Sequence, residues 1–189
     1  MKYIKKRYYS GVRSQNIIPE LEKSFNVKIV KHLGESIGIA YLTSDNKILK
    51  LTPSDAEISI CKRLIKHPNN YFSKVYIMEK IDADWVAILK EFVPKLPTKI
   101  RKQYLNLEAE VNEWCEDTVD NELMSHKILD TKGTLFIDYL KDCEPNLVKL
   151  YSDLISIIDY AAPLVVNNIV DIHVDDFGWN GNNLVLFDY

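Results

Sequence analysis

The last part of the chain concentrates carboxylate side chains in a way that predicts a metal site. Asp171, Asp175 and Asp176 follow a short apolar run, and Asp188 ends a second apolar run at 184–187. Carboxylates crowded beside apolar segments repel one another unless a cation compensates their charge. This pattern favours a divalent metal site over a solvated acidic turn, and its oxygen donors suit Mg²⁺.

A lysine and a glutamate earlier in the chain have the types and spacing that phosphate binding requires. Lys50 ends the apolar segment 47–50, which is of the V-A-I-K type, in which a strand lysine holds nucleotide phosphates. Glu57 follows at the start of the next predicted helix, where an ion pair would position that lysine. The alternative is an edge-strand lysine and a first-turn glutamate that interacts only with the helix dipole.

Glycines in the segment 33–38 would let backbone amides approach a phosphate. The segment reads Leu33-Gly-Glu-Ser-Ile-Gly38, one residue shorter than G-x-G-x-x-G and with Ser36 in place of the middle glycine. Gly34, Ser36 and Gly38 are therefore candidate nucleotide-binding residues. Taken alone, the segment is more typical of a plain hairpin turn.

The elements that must position these residues change in type along the chain. Alternating apolar residues and turn signals predict five strands, at 27–31, 39–42, 47–51, 74–78 and 85–92, with one helix after the third. Ser54 is the expected cap of that helix. Other helices are predicted at 17–25, 121–129 and 147–163, and one contains the apolar face Ile100, Tyr104, Leu107, Val111 and Trp114.

Composition restricts the class of protein. The chain has 189 residues, of which 47% are hydrophobic, and a net charge of -3, values typical of a folded domain. No apolar run is long enough to span a membrane, and the basic start lacks the apolar segment of a signal peptide. The three cysteines show no CxxC spacing, which argues against zinc and indicates a reducing, cytoplasmic location.

The order of these parts resembles that of protein kinases and of small-molecule kinases such as aminoglycoside and choline kinases. It looks closest to the very short kinase-like proteins of phages and bacterial effectors, and the resemblance covers residues 27–189. It implies an α+β, protein-kinase-like fold: a small N-lobe with a five-stranded antiparallel sheet and one helix, and a truncated helical C-lobe ending at the metal-binding aspartate. The implied domains are a basic N-terminal extension at 1–26, an N-lobe at 27–93 and a minimal C-lobe at 94–189.

The resemblance also implies roles for individual residues. Backbone groups of the hinge at 91–93, at Glu91 and Val93, would hold the adenine of ATP, and Lys50 would clamp the phosphates. Two alignments of the catalytic loop are open. His173, Asp175 and Asn180 match H-R-D-x-x-x-x-N, whereas Asp171, His173 and Asp176 match D-L-H-x-x-N with aspartate in place of asparagine.

Chain length between the metal ligands separates the two alignments. The first ligand must lead into a strand, a turn and a returning strand that ends at Asp188. Starting from Asn180, the turn at 181–183 leaves no residues for the outgoing strand. Starting from Asp176, residues 177–179 form that strand and 184–187 return. We therefore expect Asp171 as the catalytic or hydroxyl-orienting carboxylate, and Asp176 and Asp188 as Mg²⁺ ligands.

These features predict an ATP- and Mg²⁺-dependent phosphotransferase, namely a constitutive Ser/Thr protein kinase of minimal size with a protein substrate. Its expected location is the cytoplasm, that of the host if a phage or an effector-secreting bacterium encodes it. The irregular glycine segment and the aspartate at 176 favour an alternative, a pseudokinase that binds and inhibits a partner. The Asp171-Ile-His173 pattern suggests a second alternative, a small-molecule kinase.

A metal-dependent nuclease is a more distant alternative. The basic residues at 1–31 would suit nucleic acid, but no lysine stands near the aspartates to complete such a site. Neither nucleic acid nor a membrane is therefore expected as a partner.

Overall fold

The chain divides into two units, each of which is described by itself. The computed structural model describes residues 17–35, 38–81, 84–115, 124–165, 170 and 172–188. The first unit comprises Met1–Pro68 and Ser73–Phe92, and the second comprises Asn69–Phe72 and Val93–Tyr189. The basic start at 1–16, the predicted helix residues 121–123, and the candidates Ser36 and Asp171 lie outside the described residues.

The first unit contains a five-stranded antiparallel sheet with the strand order β1-β2-β3-β5-β4. One helix precedes the sheet and one follows its third strand. The elements are α1 (Ile18–Phe25), β1 (Ile29–Glu35), β2 (Ile39–Thr43), β3 (Lys47–Thr52), α2 (Asp55–Lys66), β4 (Val75–Lys80) and β5 (Val86–Glu91). The sheet and its inserted helix are those predicted from the sequence.

Local signals at the predicted positions form these elements. Asn46 ends the β2–β3 turn with a φ of 57°, a left-handed conformation that asparagine tolerates well. The Thr43 hydroxyl accepts a hydrogen bond from the Lys47 N–H at 3.0 Å and closes that turn. Helix α2 begins at Ser54, whose side chain accepts the N–H of Glu57 at 3.3 Å. A cap of this kind satisfies a backbone donor that the helix itself leaves unpaired.

The sheet presents one apolar face to α1. Leu49, Leu51, Ala87 and Leu89 pack there in one hydrophobic cluster with α1. The α1 residues of that cluster are Ile17, at its N-cap, and Leu21 and Phe25. Helix α1 and the sheet therefore share one core. Because side chains alternate along a strand, the residues between these positions face the opposite side.

The second unit is mainly helical and ends in a short hairpin. Its elements are α3 (Thr98–Trp114), α4 (Met124–Thr131), α5 (Phe136–Cys143), α6 (Val148–Ala161), β6 (Phe177–Trp179) and β7 (Leu184–Leu186). Helix α5 was not predicted, because its eight residues bury only Phe136 and Leu140, which is too short an apolar pattern. With the sheet of the first unit, these helices confirm the predicted α+β class.

The face predicted for α3 is only partly buried. Tyr104, Leu107 and Val111 are buried, whereas Trp114 at the end of the helix is 43% exposed. The Trp114 ring instead contacts Phe136 edge-on and Tyr139 at a tilt, both in α5. Within the described part of the chain, no helix is long and apolar enough to cross a membrane.

Two buried tyrosines of the second unit differ in their hydrogen bonding. The hydroxyl of Tyr151 lies 2.9 Å from that of Thr131. Thr131 donates its own proton to the Ile128 carbonyl at 2.7 Å, so Tyr151 is the donor in the pair. Tyr104 is 1% exposed, and its hydroxyl has no hydrogen-bond partner among the described residues. A buried polar group without a partner loses its hydrogen bonds to water and forms no others in their place, which costs free energy of folding.

The two Tyr→Phe substitutions are therefore expected to change stability differently. Tyr151→Phe should lower the free energy of unfolding by about 1 kcal/mol, the net value of a typical buried hydrogen bond. Tyr104→Phe should leave it unchanged or raise it, because the hydroxyl has no hydrogen bond to lose within the described segments. Urea denaturation of both variants measures the difference. A Tyr104→Phe variant that loses more stability than Tyr151→Phe would contradict the prediction.

Candidate functional site

The first unit holds a buried glutamate that is bound by two lysines. Glu57 lies in the first turn of α2, and its side chain is 1% exposed. Its Oε2 is 2.8 Å from the Nζ of Lys50 on β3. Its Oε1 accepts a hydrogen bond from the Nζ of Lys90 on β5 at 3.1 Å. The expected Lys50–Glu57 ion pair is therefore present, and each carboxylate oxygen is held by a different cation.

The strand register explains why these charges meet. Strands β3 and β5 are hydrogen-bonded neighbours, and Lys50 is directly opposite Ile88. Opposed residues of an antiparallel pair project to the same face, and the next residue on that face lies two positions further. Lys90 therefore shares a face with Lys50, opposite the α1 face. The Ser54 cap places Glu57 in the first turn of α2, where it reaches both lysines.

Lys90 was missed in the sequence analysis. It follows the apolar residues 86–89 directly, and its side chain is only 3% exposed. The available signal was its position in the strand. Lys90 lies two residues after Ile88 and therefore on the same face, and a lysine in a strand flanked by buried positions requires a counter-charge. The identity of that counter-charge depends on the pairing of β3 with β5, which sequence alone does not specify.

The glycine segment lies in the β1–β2 hairpin. Gly34 is part of β1 and pairs with Ala40. Gly38 packs so closely against β3 that an added Cβ would collide with the carbonyl oxygen of Leu51. Gly38 therefore has a packing requirement of its own, whether or not a phosphate binds nearby. The nucleotide-binding role of Gly34, Ser36 and Gly38 stays a prediction.

The predicted hinge residues fall on either side of the unit boundary. Glu91 ends β5 and donates its backbone N–H to the Lys74 carbonyl at 2.8 Å. Its side chain also accepts the Lys74 N–H, at 3.3 Å. Val93 is buried and belongs to the second unit. Because the N–H of Glu91 is engaged in the sheet, a base held at this segment would bind through other backbone groups.

The hairpin of the second unit brings Asp176 and Asp188 together. Strands β6 and β7 pair with Phe177 opposite Leu186. Beyond this pair, the carbonyl of Asp176 accepts the N–H of Phe187 at 3.0 Å, and the N–H of Asp188 lies 3.4 Å from the same oxygen. This is the strand, turn and return expected from the alignment that begins at Asp176.

Asn180 belongs to the turn of that hairpin. Its Oδ1 accepts the backbone N–H groups of Asn182 and Asn183, at 3.0 and 2.8 Å. The side chain is thereby used to shape the turn. The competing alignment would have assigned the metal-binding role to this residue.

Two neighbouring aspartates of the loop have different surroundings. Asp175 is 75% exposed, and its Oδ1 lies 2.6 Å from the Nη1 of Arg101. The hydrogen bond and the charge of Arg101 hold the pKa of Asp175 below its ordinary value. Asp176 instead accepts the backbone N–H of His173 through Oδ2 at 2.7 Å. Its carboxylate is therefore oriented by the loop itself.

A buried aspartate on α6 anchors the hairpin, and this residue too was not predicted from the sequence. Asp153 is 2% exposed, and its Oδ2 accepts the N–H of Leu184 at 3.0 Å. Lys149 lies 3.0 Å from both oxygens of that carboxylate and also bonds Asn183. At the other strand, a Cβ at Gly178 would collide with the Pro94 carbonyl. The hairpin is therefore held tightly from two sides.

Close to this loop, Tyr104 has a buried hydroxyl for which no described residue is a hydrogen-bond partner. Its ring packs against Phe177, the residue after Asp176, with centroids 5.4 Å apart. Burial raises the pKa of Tyr104, and the negative charges of Glu108 and Asp176 raise it further. The hydroxyl is therefore a neutral donor, in the electrostatic field of a proposed metal ligand.

The donor set of the hairpin fits Mg²⁺. Asp176 and Asp188 offer only oxygen ligands, as Mg²⁺ prefers. Among the described residues, no group of three or more His, Cys, Asp or Glu is placed to hold a metal ion, and Asp171 lies outside them. Mg²⁺ is usually bound by one or two carboxylates together with substrate phosphates and water. The pair therefore suits an ion that arrives with a nucleotide better than one enclosed by protein.

No protein-family model matches the chain, and no curated protein matches it. Its fold is similar to that of the kinase PK-1 of the Cydia pomonella granulovirus, with a TM-score of 0.41 and 18% identity. It is also similar to the GDP complex of a mutant aminoglycoside 2'-phosphotransferase-IIIa, with a TM-score of 0.45 and 14% identity. A third is an aminoglycoside phosphotransferase with streptomycin and ATP, with a TM-score of 0.44 and 14% identity.

The three alignments cover the same share of this chain but different shares of the solved structures. Each covers 93% of this chain. The chain spans 58% of the viral kinase and 71% and 70% of the two aminoglycoside phosphotransferases.

The ion pair of Asp175 gives a direct test of the loop geometry. Arg101→Gln should raise the pKa of Asp175 toward its ordinary value, because the charged donor is lost. An NMR titration of the Asp175 carboxyl carbon measures this. A lowered folded-state pKa stabilises the fold above the unfolded pKa of about 4 and ceases to do so as pH falls through the folded value. As the pH is lowered, the free energy of unfolding of Arg101→Gln should therefore fall less steeply than that of the wild type.

Lys132→Gln is the matched control for this titration, because it removes a different exposed ion pair, with Asp159. It should leave the pKa of Asp175 unchanged. An unchanged pKa of Asp175 in Arg101→Gln would show that the two side chains do not pair in solution.

Proposed function

We propose that the chain is an ATP- and Mg²⁺-dependent phosphotransferase, a minimal and constitutive Ser/Thr protein kinase that acts on a protein substrate in the cytoplasm. The observation that carries this proposal is the buried ion pair between Lys50 and Glu57. Removing charges from water is costly, so a buried glutamate that fixes a largely covered lysine is a feature that function explains better than stability does.

In the proposed reaction, the residues predicted from the sequence bind the nucleotide and the metal ion. Lys50 binds phosphate oxygens of ATP while Glu57 fixes its ammonium group, and backbone groups at 34–38 and 91–93 bind the phosphates and the base. Asp176 and Asp188 hold Mg²⁺. When bound, this ion supplies charge neutralisation on the phosphate oxygens.

The transfer step itself requires one further carboxylate. Asp171 orients the substrate hydroxyl and accepts its proton. The hydroxyl oxygen forms a bond to the γ-phosphorus while the bond to the bridging β–γ oxygen breaks, and ADP leaves with that electron pair. Asp175 is a weaker candidate for the proton acceptor, because its pairing with Arg101 lowers its pKa and thus its basicity.

A partner-binding pseudokinase is the second candidate. Asp176 stands where the small-molecule kinases have asparagine, and its Oδ2 already accepts a hydrogen bond from the His173 N–H. Such a protein would bind a partner and inhibit it without transferring phosphate. A small-molecule kinase remains the third, supported by the strand-turn-return that follows the Asp171-Ile-His173 pattern. Binding and transfer experiments separate these candidates.

Nucleotide binding should appear as a Mg²⁺-dependent rise in melting temperature. ATP at a hundredfold excess over its dissociation constant should stabilise the chain by about 2.7 kcal/mol. Asp188→Asn should remove the part of that rise that depends on Mg²⁺, because a carboxylate ligand is lost. Asp159→Asn, an exposed carboxylate on α6, is the control and should retain it. If millimolar Mg-ATP does not shift the melting temperature, the chain is not an ATP-dependent enzyme.

Phosphate transfer is measured with labelled ATP and peptide libraries whose central residue is Ser, Thr or Tyr, and with aminoglycosides as small-molecule acceptors. Lys50→Met should reduce transfer about 100-fold or more, the usual effect of losing a charged donor at a transferring group. Lys47→Met removes a partly exposed lysine of the same strand and should not change the rate of transfer. Mg-ATP binding without transfer to any acceptor would select the pseudokinase.

Asp171→Asn distinguishes the two catalytic-loop alignments. It should abolish transfer and leave Mg-ATP binding intact, because it removes the proton acceptor but no proposed metal ligand. Asp175→Asn should retain transfer. The reverse pattern would assign the catalytic role to Asp175 and overturn the alignment chosen here.

A further inference from the structure

Lys90 is a second lysine on the glutamate that holds Lys50, and the proposed reaction gives it no role. Its side chain is 3% exposed, compared with 12% for Lys50. Both lysines contact Glu57, but through different oxygens, Oε1 for Lys90 and Oε2 for Lys50. The more exposed lysine is suited to meet a ligand, and the more buried one is suited to act through the glutamate.

The two contacts restrict the carboxylate more than either does alone. A carboxylate held at one oxygen still rotates about its side-chain bonds. Glu57 is held at both oxygens by groups from two strands, β3 and β5, whose relative position is fixed by their hydrogen bonds. The carboxylate, and with it the first turn of α2, therefore has one orientation relative to the sheet.

A charged residue at position 90 is not what the fold alone requires. Ile48 lies directly opposite Lys90 on β3, and Ile88 precedes it on the same face, so apolar side chains suit this face. Burying a lysine costs several kcal/mol unless a partner compensates, and an apolar residue of similar volume is often at least as stabilising. The lysine is thus best explained by what it does to Glu57.

We propose that Lys90 is a positioning residue that fixes the carboxylate of Glu57, so that Glu57 in turn holds Lys50 in the orientation needed for phosphate binding. A binding-competent arrangement that exists only part of the time weakens apparent affinity by the fraction of time it is present. Lys90 removes that loss by keeping the arrangement formed. The readout of this inference in nucleotide affinity rests on the proposed function.

A double-mutant cycle between Lys90 and Glu57 tests the inference. Mg-ATP affinity is measured by calorimetry for the wild type, Lys90→Met, Glu57→Gln and the double variant. Lys90→Met should weaken binding about tenfold when Glu57 is present, and less than twofold in the Glu57→Gln background, because residues that act through one another are not additive. Lys47→Met, which removes a partly exposed lysine at the start of β3, should leave the affinity unchanged.

Other results would overturn the inference. Equal weakening in both backgrounds would mean that Lys90 acts on the nucleotide without Glu57. Unchanged affinity in a folded Lys90→Met variant would mean that Glu57 needs no second lysine. If the methionine variant does not fold, Lys90→Gln, which keeps a donor of similar length, replaces it in the same cycle with the same expected non-additivity.

Melting temperatures of the same four proteins without nucleotide separate this inference from the proposed function. Lys90→Met and Glu57→Gln should be non-additive in stability, since both remove the same buried contact. If the wild type binds no Mg-ATP, the proposed function has failed, and non-additive melting temperatures still support the hold of Lys90 on Glu57. Additive changes in melting temperature would refute the inference about Lys90.

Discussion

The arrangement of the first unit depends on the burial of one carboxylate. Glu57 is held almost completely out of water, which is costly for a charged group unless cations satisfy it at close range. This requirement fixes several things at once: where α2 begins, which face of the sheet it covers, and which residues of β3 and β5 must be lysine. The Ser54 cap and the β3–β5 register meet it together.

In the second unit, Asp176 and Asp188 come close together although eleven residues separate them in sequence. The hairpin brings them together by chain geometry, since three-residue strands on either side of a four-residue turn return the chain beside its starting point. The hairpin is in turn anchored to other parts of the same unit. The bonds of Asp153 to Leu184 and the close contact of Gly178 with Pro94 supply that anchoring.

Sequence reasoning succeeded where the signal is local and failed where it depends on distant pairing. The strands of the first unit, the Ser54 cap and the path from Asp176 to Asp188 follow from alternation, turn residues and chain length. Lys90 looks like an ordinary strand lysine until β5 is known to lie beside β3. Asp153 looks like half of an exposed ion pair with Lys149 at a spacing of four, and only the packing of the hairpin against α6 buries it.

Helix α1 packs on one face of the sheet, and the two lysines that contact Glu57, Lys50 and Lys90, lie on the other face of the same strands. Phe25 and Leu21 pack in one cluster with Leu49 and Leu89, and these strand residues immediately precede Lys50 and Lys90. Burial of each such side chain is worth about 1.5–3 kcal/mol. Proteolytic removal of α1 would expose the back of β3 and β5 and loosen the strands that carry both lysines. Cleavage at the short connection after Phe25 would thus disturb the positions of Lys50 and Lys90, although these lysines lie on the opposite face of the sheet.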